Sequence, residues 1–176
     1  VKRIRYTTSH PRDITDELIQ AYADLPKLTS QLHLPVQSGS NRVLRRMRRY
    51  YTRERFLDIV AGLKKARPDL VLGTDIIVGF PGETEEDFEQ TLQLLDEVGF
   101  VTSFSFKYSP RPGTPALMMT GKRGEGVAAE VASERLTRWQ TKQKQYSVAW
   151  HKSLEGTVSD VLVEGWSRHD PGVVCG

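Results

Sequence analysis

One segment, residues 73–84, constrains the fold of this chain more than any other. Its first part is largely apolar, as in a buried strand, and it runs directly into a Phe-Pro-Gly turn at residues 80–82. Thr84 and Asp87 then resemble a capping box, which predicts that a helix begins there. Backbone N–H groups and the helix dipole converge where such a strand meets a helix, so this junction suits a polar ligand. A tight connection without any ligand explains the same residues.

The rest of the chain places this segment in an alternating α/β pattern. Strands are predicted at residues 3–8, 32–36, 70–79 and 101–108, and helical periodicity separates them. Asp13 and Thr52 are expected to cap two of the helices, and Gly99 has the position of a C-terminal capping residue. The order β-α-β-α-β-α-β predicts parallel pairing through right-handed crossovers, in a half-barrel or a small doubly wound sheet.

The pattern changes beyond about residue 113. One long helix is predicted over residues 127–154, and a strand pattern at 157–165 resembles the first arm of a small β domain. We therefore divide the chain into residues 1–116 (the βα units), residues 117–154 (a linker and connecting helix) and residues 155–176 (the start of the β domain). Both ends look cut, because there is no initiator methionine and the last residues are apolar.

Composition restricts the class of protein. No apolar run approaches the roughly 20 residues that span a bilayer, so a cytoplasmic protein without membrane contact is predicted. Cys175 is the single cysteine among 176 residues, which excludes an internal disulfide and a cluster ligated by thiolates of this chain alone. His10 and His33 lack partners at metal-ligand spacing, so no metal site is predicted and both are interpreted as structural.

Polar residues follow each predicted strand. In α/β barrels and open sheets the carboxyl ends of the strands hold the active site, so a ligand-binding edge is predicted there. Asp75 lies inside an apolar strand, so its carboxylate must be paired or face a polar cavity. Glu83 is expected to cap or to form a salt bridge. No complete catalytic set is present. The four strand ends are residues 7–10, 37–38, 79–82 and 109–111.

A basic run follows the second strand. Clustered arginines beside Tyr50 and Tyr51 suit phosphate contacts and base stacking, although a solvated helix face has the same composition. The run consists of Arg42, Arg45, Arg46, Arg48, Arg49, Arg53 and Arg55.

Four motifs in order carry a specific resemblance. Residues 3–11 read Arg-Ile-Arg-Tyr-Thr-Thr-Ser-His-Pro, residues 33–40 read His-Leu-Pro-Val-Gln-Ser-Gly-Ser, residues 75–84 read Asp-Ile-Ile-Val-Gly-Phe-Pro-Gly-Glu-Thr, and residues 108–116 read Tyr-Ser-Pro-Arg-Pro-Gly-Thr-Pro-Ala. Together they resemble the radical SAM methylthiotransferases, most closely the branch that modifies N6-isopentenyladenosine in tRNA. The resemblance implies an α/β fold, namely the C-terminal part of a radical SAM partial (β/α) barrel with the start of a small β domain, the RNA-binding TRAM domain.

The resemblance also implies the chemistry. The full-length enzyme would use S-adenosyl-L-methionine (SAM), two 4Fe–4S clusters and an electron donor to methylthiolate C2 of an adenosine next to the tRNA anticodon. It would act as a monomer. This chain lacks the Cys-x-x-x-Cys-x-x-Cys loop, so it is expected to be inactive alone, with no catalytic residue of its own. A methylthiotransferase for threonylcarbamoyladenosine or for a ribosomal protein, and a non-catalytic RNA-binding fragment, are the alternatives.

The resemblance implies functional residues only at positions that match the four motifs or follow a matching strand. Ile77 and Gly79 would lie along the SAM adenine, and the strand-end groups would contact its ribose, carboxylate or adenine. The predicted cofactor-binding residues are Gln37, Ser38, Asp75, Ile77, Gly79, Ser109, Pro110 and Arg111. The predicted RNA-binding residues are Thr8, His10, Arg45, Arg48, Arg49 and Lys142.

Overall fold

A parallel three-stranded sheet forms the centre of the computed structural model, which describes residues 1–5, 10–121, 124–170 and 172–175. The strands are β1 (Gln31–His33), β2 (Val71–Val78) and β3 (Thr102–Lys107), with β2 in the middle and both pairs parallel. The predicted α/β class with parallel pairing is therefore confirmed.

The helices alternate with these strands as predicted. A 3-10 turn at Pro11–Asp13 precedes the first helix, and a short antiparallel pair of strands follows the last one. The helices are α1 (Asp16–Asp24), α2 (Asn41–Arg46), α3 (Arg53–Ala66), α4 (Glu85–Val98), α5 (Pro115–Gly121) and α6 (Ala129–Ser153), and the last two strands are β4 (Gly165–Trp166) and β5 (Val174–Cys175).

The first predicted strand is reduced to one bridge within the described residues. Ile4 pairs in parallel with Leu28, and residues 6–9 lie outside the described part of the chain. The strand predicted at 32–36 ends at His33, because Pro35 has no N–H group to continue the ladder. Gln37 then returns to pair with Ile76 of β2.

Local capping signals are mostly confirmed. Thr84 and Asp87 form the predicted capping box of α4, and Gly99 ends that helix in a left-handed conformation with φ 69°. Thr52 caps α3 by accepting a hydrogen bond from Arg55 N. The prediction for Asp13 is wrong, because it lies in the 3-10 turn and Thr15 caps α1 instead.

The helices α3, α4 and α6 contribute to one core on one face of the sheet. Leu72, Ile76 and Val78 of β2 are buried there, together with Phe88 of α4 and Trp139 of α6. A doubly wound sheet would carry helices on both faces, whereas a barrel segment carries them on the outside only. The one-sided packing therefore agrees with the predicted partial barrel.

The opposite face of the sheet is open. Phe104 and Phe106 of β3 are 64% and 55% exposed, and their register partners in β2 are Asp75 and Ile77. We call the face that carries these residues and His33 the open face. A barrel strand points alternate side chains toward the barrel interior, so the open face corresponds to that interior.

The segment after α6 differs from its prediction. The strand predicted at residues 157–165 is wrong except at its last residue, since residues 157–164 form no strand, Val158 is 98% exposed and only Gly165 belongs to β4. An exposed strand with no apolar surface against it has little to hold it in a sheet. The proposed domain boundaries stay a prediction. No helix in the described ranges has the length and apolar character needed to cross a lipid bilayer.

Candidate functional site

The glycine turn after β2 is shaped by its contact with α6. Gly79 and Gly82 have φ angles of 71° and 76°, which favour glycine. A Cβ atom on Gly79 would lie 2.8 Å from the Cβ atom of Ala132, so the glycine allows α6 to pack against the end of β2. Its N–H group donates to Glu83 Oε1 at 2.9 Å. The predicted contact between Gly79 and the cofactor stays a prediction.

Glu83 links this turn to α6, as the salt-bridge expectation required. Its carboxylate is buried and accepts a hydrogen bond of 2.8 Å from Arg135, itself only 5% exposed. Burial raises the pKa of Glu83, opposed by the Gly79 N–H group and by Arg135, which both favour the carboxylate. The pair therefore holds the turn and α6 in one arrangement.

Asp87 links the start of α4 to the start of α2. Its carboxylate accepts hydrogen bonds from Ser40 Oγ at 2.6 Å and from Thr84 N at 2.9 Å, and it forms an ion pair with Arg42. Burial alone would raise the pKa of Asp87, but the hydrogen bonds from Arg42, Ser40 and Thr84 outweigh it and lower the pKa to about 2. Arg42 also donates to Gly82 O at 2.5 Å, so the same cluster holds the glycine turn.

A cavity of about 470 Å³ lies at the carboxyl ends of β2 and β3, and we call it the strand-end cavity. Its volume is within the range of small-molecule sites. Of the predicted cofactor-binding residues, Ile77, Ser109 and Arg111 line it. The full lining is Ile77, Phe80, Phe106, Lys107, Tyr108, Ser109, Arg111, Thr114 and Ala116.

Tyr108 is a wall residue that the sequence prediction missed. Its hydroxyl is buried and has no hydrogen-bond partner among the described residues, and its ring packs edge-to-face on Phe80 with 5.2 Å between centroids. Buried polar atoms are almost always hydrogen-bonded in native proteins. An orphaned hydroxyl in this wall therefore fits a cavity that takes a polar ligand. The alternation in β3 is the sequence signal that points to this strand end.

A second cavity of about 350 Å³ adjoins the first, and we call it the basic chamber. Ile77, Phe80, Thr114 and Ala116 line both cavities, so one wall is common to the two. The rest of the chamber brings together three of the predicted RNA-binding residues with two that were not predicted. These residues are His10, Arg48 and Arg49, with Arg46 and Met47, and Pro115 completes the lining.

The charge of the basic chamber comes from two arginines. Arg46 is neutralised by an ion pair with Glu125 and also donates to Pro81 O at 3.0 Å. Arg48 and Arg49 have no ion pair among the residues that the structure describes. Burial lowers the pKa of His10, and Arg49 and Arg12 lower it further while Asp13 raises it, so the site favours the neutral imidazole.

The rest of the basic run divides into two groups. Arg42 and Arg53 have structural roles, since Arg53 donates to Gln90 O at 2.6 Å and pairs with Glu97. Arg45 and Arg55 are exposed and line neither cavity.

The remaining predicted RNA-binding residues lie elsewhere. Lys142 lies on α6 and forms a 2.6 Å ion pair with Asp96, away from the lining of both cavities. Thr8 lies outside the described residues.

Besides Gly79, four predicted cofactor residues do not line the strand-end cavity. Ser38 is 1% exposed and accepts a hydrogen bond from Ser40 N, and Gln37 pairs through its backbone with β2 at φ 70°. Pro110 is exposed beside the cavity in sequence, and Asp75 lies on the open face. Their contacts with a cofactor stay predictions.

Asp75 has the partner that its position in an apolar strand predicted. His33 Nε2 lies 2.9 Å from Asp75 Oδ1, and the imidazole packs edge-on against Phe104. The two residues are far apart in the sequence and meet because β1 and β2 are neighbours. Spacing along the chain cannot show such a pair, so His33 was interpreted as structural.

The described residues offer no ligand set for a metal cluster. No group of three or more His, Cys, Asp or Glu side chains in the described ranges has the geometry to hold a metal ion. Cys175 is exposed and free. The described residues therefore do not supply the ligands of an iron–sulfur cluster.

Comparison with known proteins decides the family. Residues 1–95 match the radical SAM superfamily. The chain belongs to this superfamily. Radical SAM proteins use SAM and an iron–sulfur cluster.

Curated relatives of this chain carry a more specific name than the superfamily. The chain is 50% identical over its whole length to a tRNA-2-methylthio-N(6)-dimethylallyladenosine synthase of Nitrosomonas europaea, and covers 39% of that protein. It is 52% identical over 97% of its length to the synthase of the same name from Aromatoleum aromaticum, covering 37% of it. This radical SAM chain thus spans less than half the length of the relatives it matches.

A solved structure supports the fold. Coproporphyrinogen III oxidase from Escherichia coli, described as a radical SAM enzyme, matches with a TM-score of 0.60 over 77% of this chain and 31% of the other. At 18% identity the likeness concerns the fold alone, and it agrees with a partial radical SAM barrel.

Proposed function

We propose that this chain contributes the later barrel strands of a tRNA methylthiotransferase that modifies C2 of N6-isopentenyladenosine next to the anticodon. The names of relatives that are about half identical across the chain support this substrate. The observation that carries the proposal is the common wall between the strand-end cavity and the basic chamber, because it joins a cofactor-sized site to a cationic one.

In this proposal the strand-end cavity binds SAM. Ile77 supplies apolar contact, and Ser109, Arg111 and the Tyr108 hydroxyl supply polar contacts at the cavity wall. When bound, SAM supplies the methyl group of the product and the species that abstracts hydrogen from C2. Two 4Fe–4S clusters and an electron donor belong to the proposal for the full-length protein, with ligands outside this chain.

The RNA partner would contact the cationic side of the site. His10, Arg48 and Arg49 line the basic chamber, and Arg45 lies on the neighbouring helix α2. Thr8 and Lys142 remain proposed contacts, although Lys142 would first have to leave Asp96. We propose that the full-length enzyme acts in the cytoplasm as a monomer.

Nucleoside analysis tests the proposed reaction. Deleting the gene that encodes this chain should abolish the methylthio-isopentenyl nucleoside in tRNA hydrolysates, while isopentenyladenosine accumulates. Complementation with the intact gene should restore the product. An unchanged nucleoside pattern would reject the proposal. Loss of methylthio-threonylcarbamoyladenosine, or of methylthiolation on a ribosomal protein, would assign the alternative substrate instead.

A variant of the common wall tests the site itself. Ile77→Glu places a carboxylate between the two cavities, where it should weaken both SAM binding and complementation at least tenfold. Val148→Glu on the exposed side of α6 is the matched control, since Val148 is 42% exposed and lines neither cavity. Equal SAM affinity in both variants would place the cofactor elsewhere. Isothermal titration calorimetry of the full-length protein measures this affinity.

A further inference from the structure

A further cavity lies at the amino ends of the strands, and we call it the amino-end cavity. Its volume is about 790 Å³, and the first residues of β1, β2 and β3 line it, namely Gln31, Val71 and Thr102. The strand-end cavity lies at the opposite end of β2, so roughly 25 Å of strand separates the two cavities. The amino-end cavity is therefore distinct from the proposed cofactor site.

Three cations line the amino-end cavity without a fixed counter-charge. Lys2, Arg3 and Lys27 have no ion pair with any residue that the structure describes. They come together because the first residues of the chain run beside the loop before β1, where Ile4 N donates to Lys27 O at 2.7 Å. Unpaired cations around a concave surface form a site for an anion.

The other charges in the lining indicate the size of the anion. Arg67 is held by the fold, since it donates to Tyr22 O and Leu25 O at 2.9 Å each, at the negative end of the α1 dipole. Asp160 supplies the one carboxylate among the described lining residues, and its backbone carbonyl accepts from Arg3 at 3.3 Å. The three unpaired cations and this carboxylate leave a surplus of two positive charges. A phosphate monoester, with close to two negative charges at pH 7, matches that surplus.

An indole ring gives the same cavity a flat apolar wall. Trp150, near the end of α6, is half-buried, and its Nε1 donor has no hydrogen-bond partner among the described residues. Its ring meets His151 edge-on, with 4.9 Å between the centroids. His151 Nδ1 lies 2.7 Å from Ser147 O, so in the neutral ring Nδ1 carries the proton and Nε2 is an acceptor. An aromatic face with a donor and an acceptor beside it suits a nucleic-acid base.

We propose that the amino-end cavity binds a free nucleoside monophosphate, with its phosphate held by Lys2, Arg3 and Lys27 and its base against Trp150. The cavity volume of about 790 Å³ lies within the range of small-molecule sites. A base and a phosphate in one molecule use both the aromatic wall and the unpaired cations. The inference does not depend on the proposed reaction, because the site is built from residues at the opposite end of the sheet.

Isothermal titration calorimetry of the full-length protein tests this site, with SAM at saturation to occupy the cofactor site. Adenosine monophosphate (AMP) is the probe. It should bind at least tenfold more tightly than adenosine or inorganic phosphate, because only AMP contacts both the cations and the indole ring. Absence of AMP binding, or an affinity for AMP no higher than that for adenosine or phosphate, would overturn the inference.

Charge variants locate the bound phosphate. Arg3→Gln and Lys27→Gln should each weaken AMP binding about tenfold, since each removes a charged hydrogen bond to the phosphate. Lys65→Gln on α3 is the matched control, because Lys65 is exposed, has no ion pair among the described residues and does not line the cavity. Equal losses in all three variants would overturn the inference, since they would indicate only a diffuse effect of charge.

Trp150→Leu separates stacking from charge. It should weaken AMP binding about tenfold and leave the affinity for inorganic phosphate unchanged, which also shows that the cavity is still folded. Equal AMP affinity in this variant and the parent would overturn the assigned stacking contact. A single-stranded RNA without terminal phosphates that displaces AMP would assign the cations to an RNA backbone and overturn the inference.

Discussion

At the scale of single residues, Asp87 shows how one carboxylate organises the loops around the site. It receives hydrogen bonds from Ser40 and Thr84 and an ion pair from Arg42, so the starts of α2 and α4 converge on it. The sequence indicated its capping role only. Ser40 and Arg42 are distant in the chain, and their convergence depends on how the two helices pack.

Asp87 should give the protein an acid-sensitive contribution to stability. Its pKa is 3.8 in the unfolded reference and about 2 in the folded protein, which corresponds to about 2 kcal/mol. Because the folded pKa is the lower one, this contribution is complete above the unfolded value and is lost as pH falls from 3.8 toward 2. The difference in unfolding free energy between the parent and Asp87→Asn should shrink over that interval in denaturant titrations. A difference that stays constant over the interval would contradict this assignment.

Tyr108 tests whether the strand-end cavity takes a polar ligand. Tyr108→Phe removes a buried hydroxyl that has no partner among the described residues, so the unfolding free energy should stay equal or rise by up to about 1 kcal/mol. If the hydroxyl contacts bound SAM, calorimetry should show about a tenfold loss of affinity for SAM at the same time. A loss of stability together with unchanged SAM affinity would show that the hydroxyl serves the fold.

At the scale of elements, α6 is part of the site's framework. Trp139 is fully buried and donates to Ser103 Oγ of β3 at 2.9 Å, and Arg135 pairs with Glu83 beside the glycine turn. The sequence predicted this helix almost to its ends but described it as a connection. Its packing on the sheet became visible only in three dimensions, because Trp139 and Ser103 lie on different elements.

The close packing of α6 explains why glycine is needed at position 79, and the cost of replacing it can be measured. Gly79→Ala should destabilise the protein by about 1 kcal/mol for its positive φ, and by a further 1–3 kcal/mol or so because the new methyl group would lie 2.8 Å from Ala132. Gly113→Ala is the matched control, with φ +78° and no atom within 4 Å of the added carbon. Thermal unfolding of the two variants gives the difference, and equal losses would show that α6 does not press on the turn.

At the scale of the whole molecule, the open face is unusual, because an isolated folded protein seldom exposes so much of a sheet's apolar surface. Phe104 and Phe106 stand exposed on a parallel sheet, although parallel sheets are normally covered on both faces. Large exposed apolar patches mark surfaces that associate. The helices cover only the other face, so the open face is where a barrel would place further structure.

The chain should therefore self-associate through the open face. Sedimentation velocity should show concentration-dependent association of the 176-residue chain, and the double variant Phe104→Ser, Phe106→Ser should reduce it. Trp166→Ser in β4 is the control, since Trp166 is 71% exposed and lies outside the sheet of β1, β2 and β3. A monomeric parent with a cooperative melt, or dissociation by Trp166→Ser alone, would contradict association through this face.

Local signals explain which parts of the fold were predictable. The capping box at Thr84, the C-terminal cap at Gly99 and the apolar strand β2 depend on residues close together in the chain, and each was confirmed. The strand predicted at 157–165 shows the opposite case. Its alternating pattern was correct for a strand, but a strand needs a neighbour and a surface to cover, and no local pattern supplies them.

The sequence by itself determined the alternating α/β order and the limits of α3, α4 and α6 to within about two residues, because turn chemistry and hydrophobic periodicity act over a few residues. Only the tertiary structure decided which arginines are free to bind a ligand. Arg42 meets Asp87 and Arg46 meets Glu125 across the fold, while Arg48 and Arg49 meet no carboxylate among the described residues. These ion pairs form between residues that are distant in the sequence. The composition of the basic run therefore cannot show which of its arginines are neutralised.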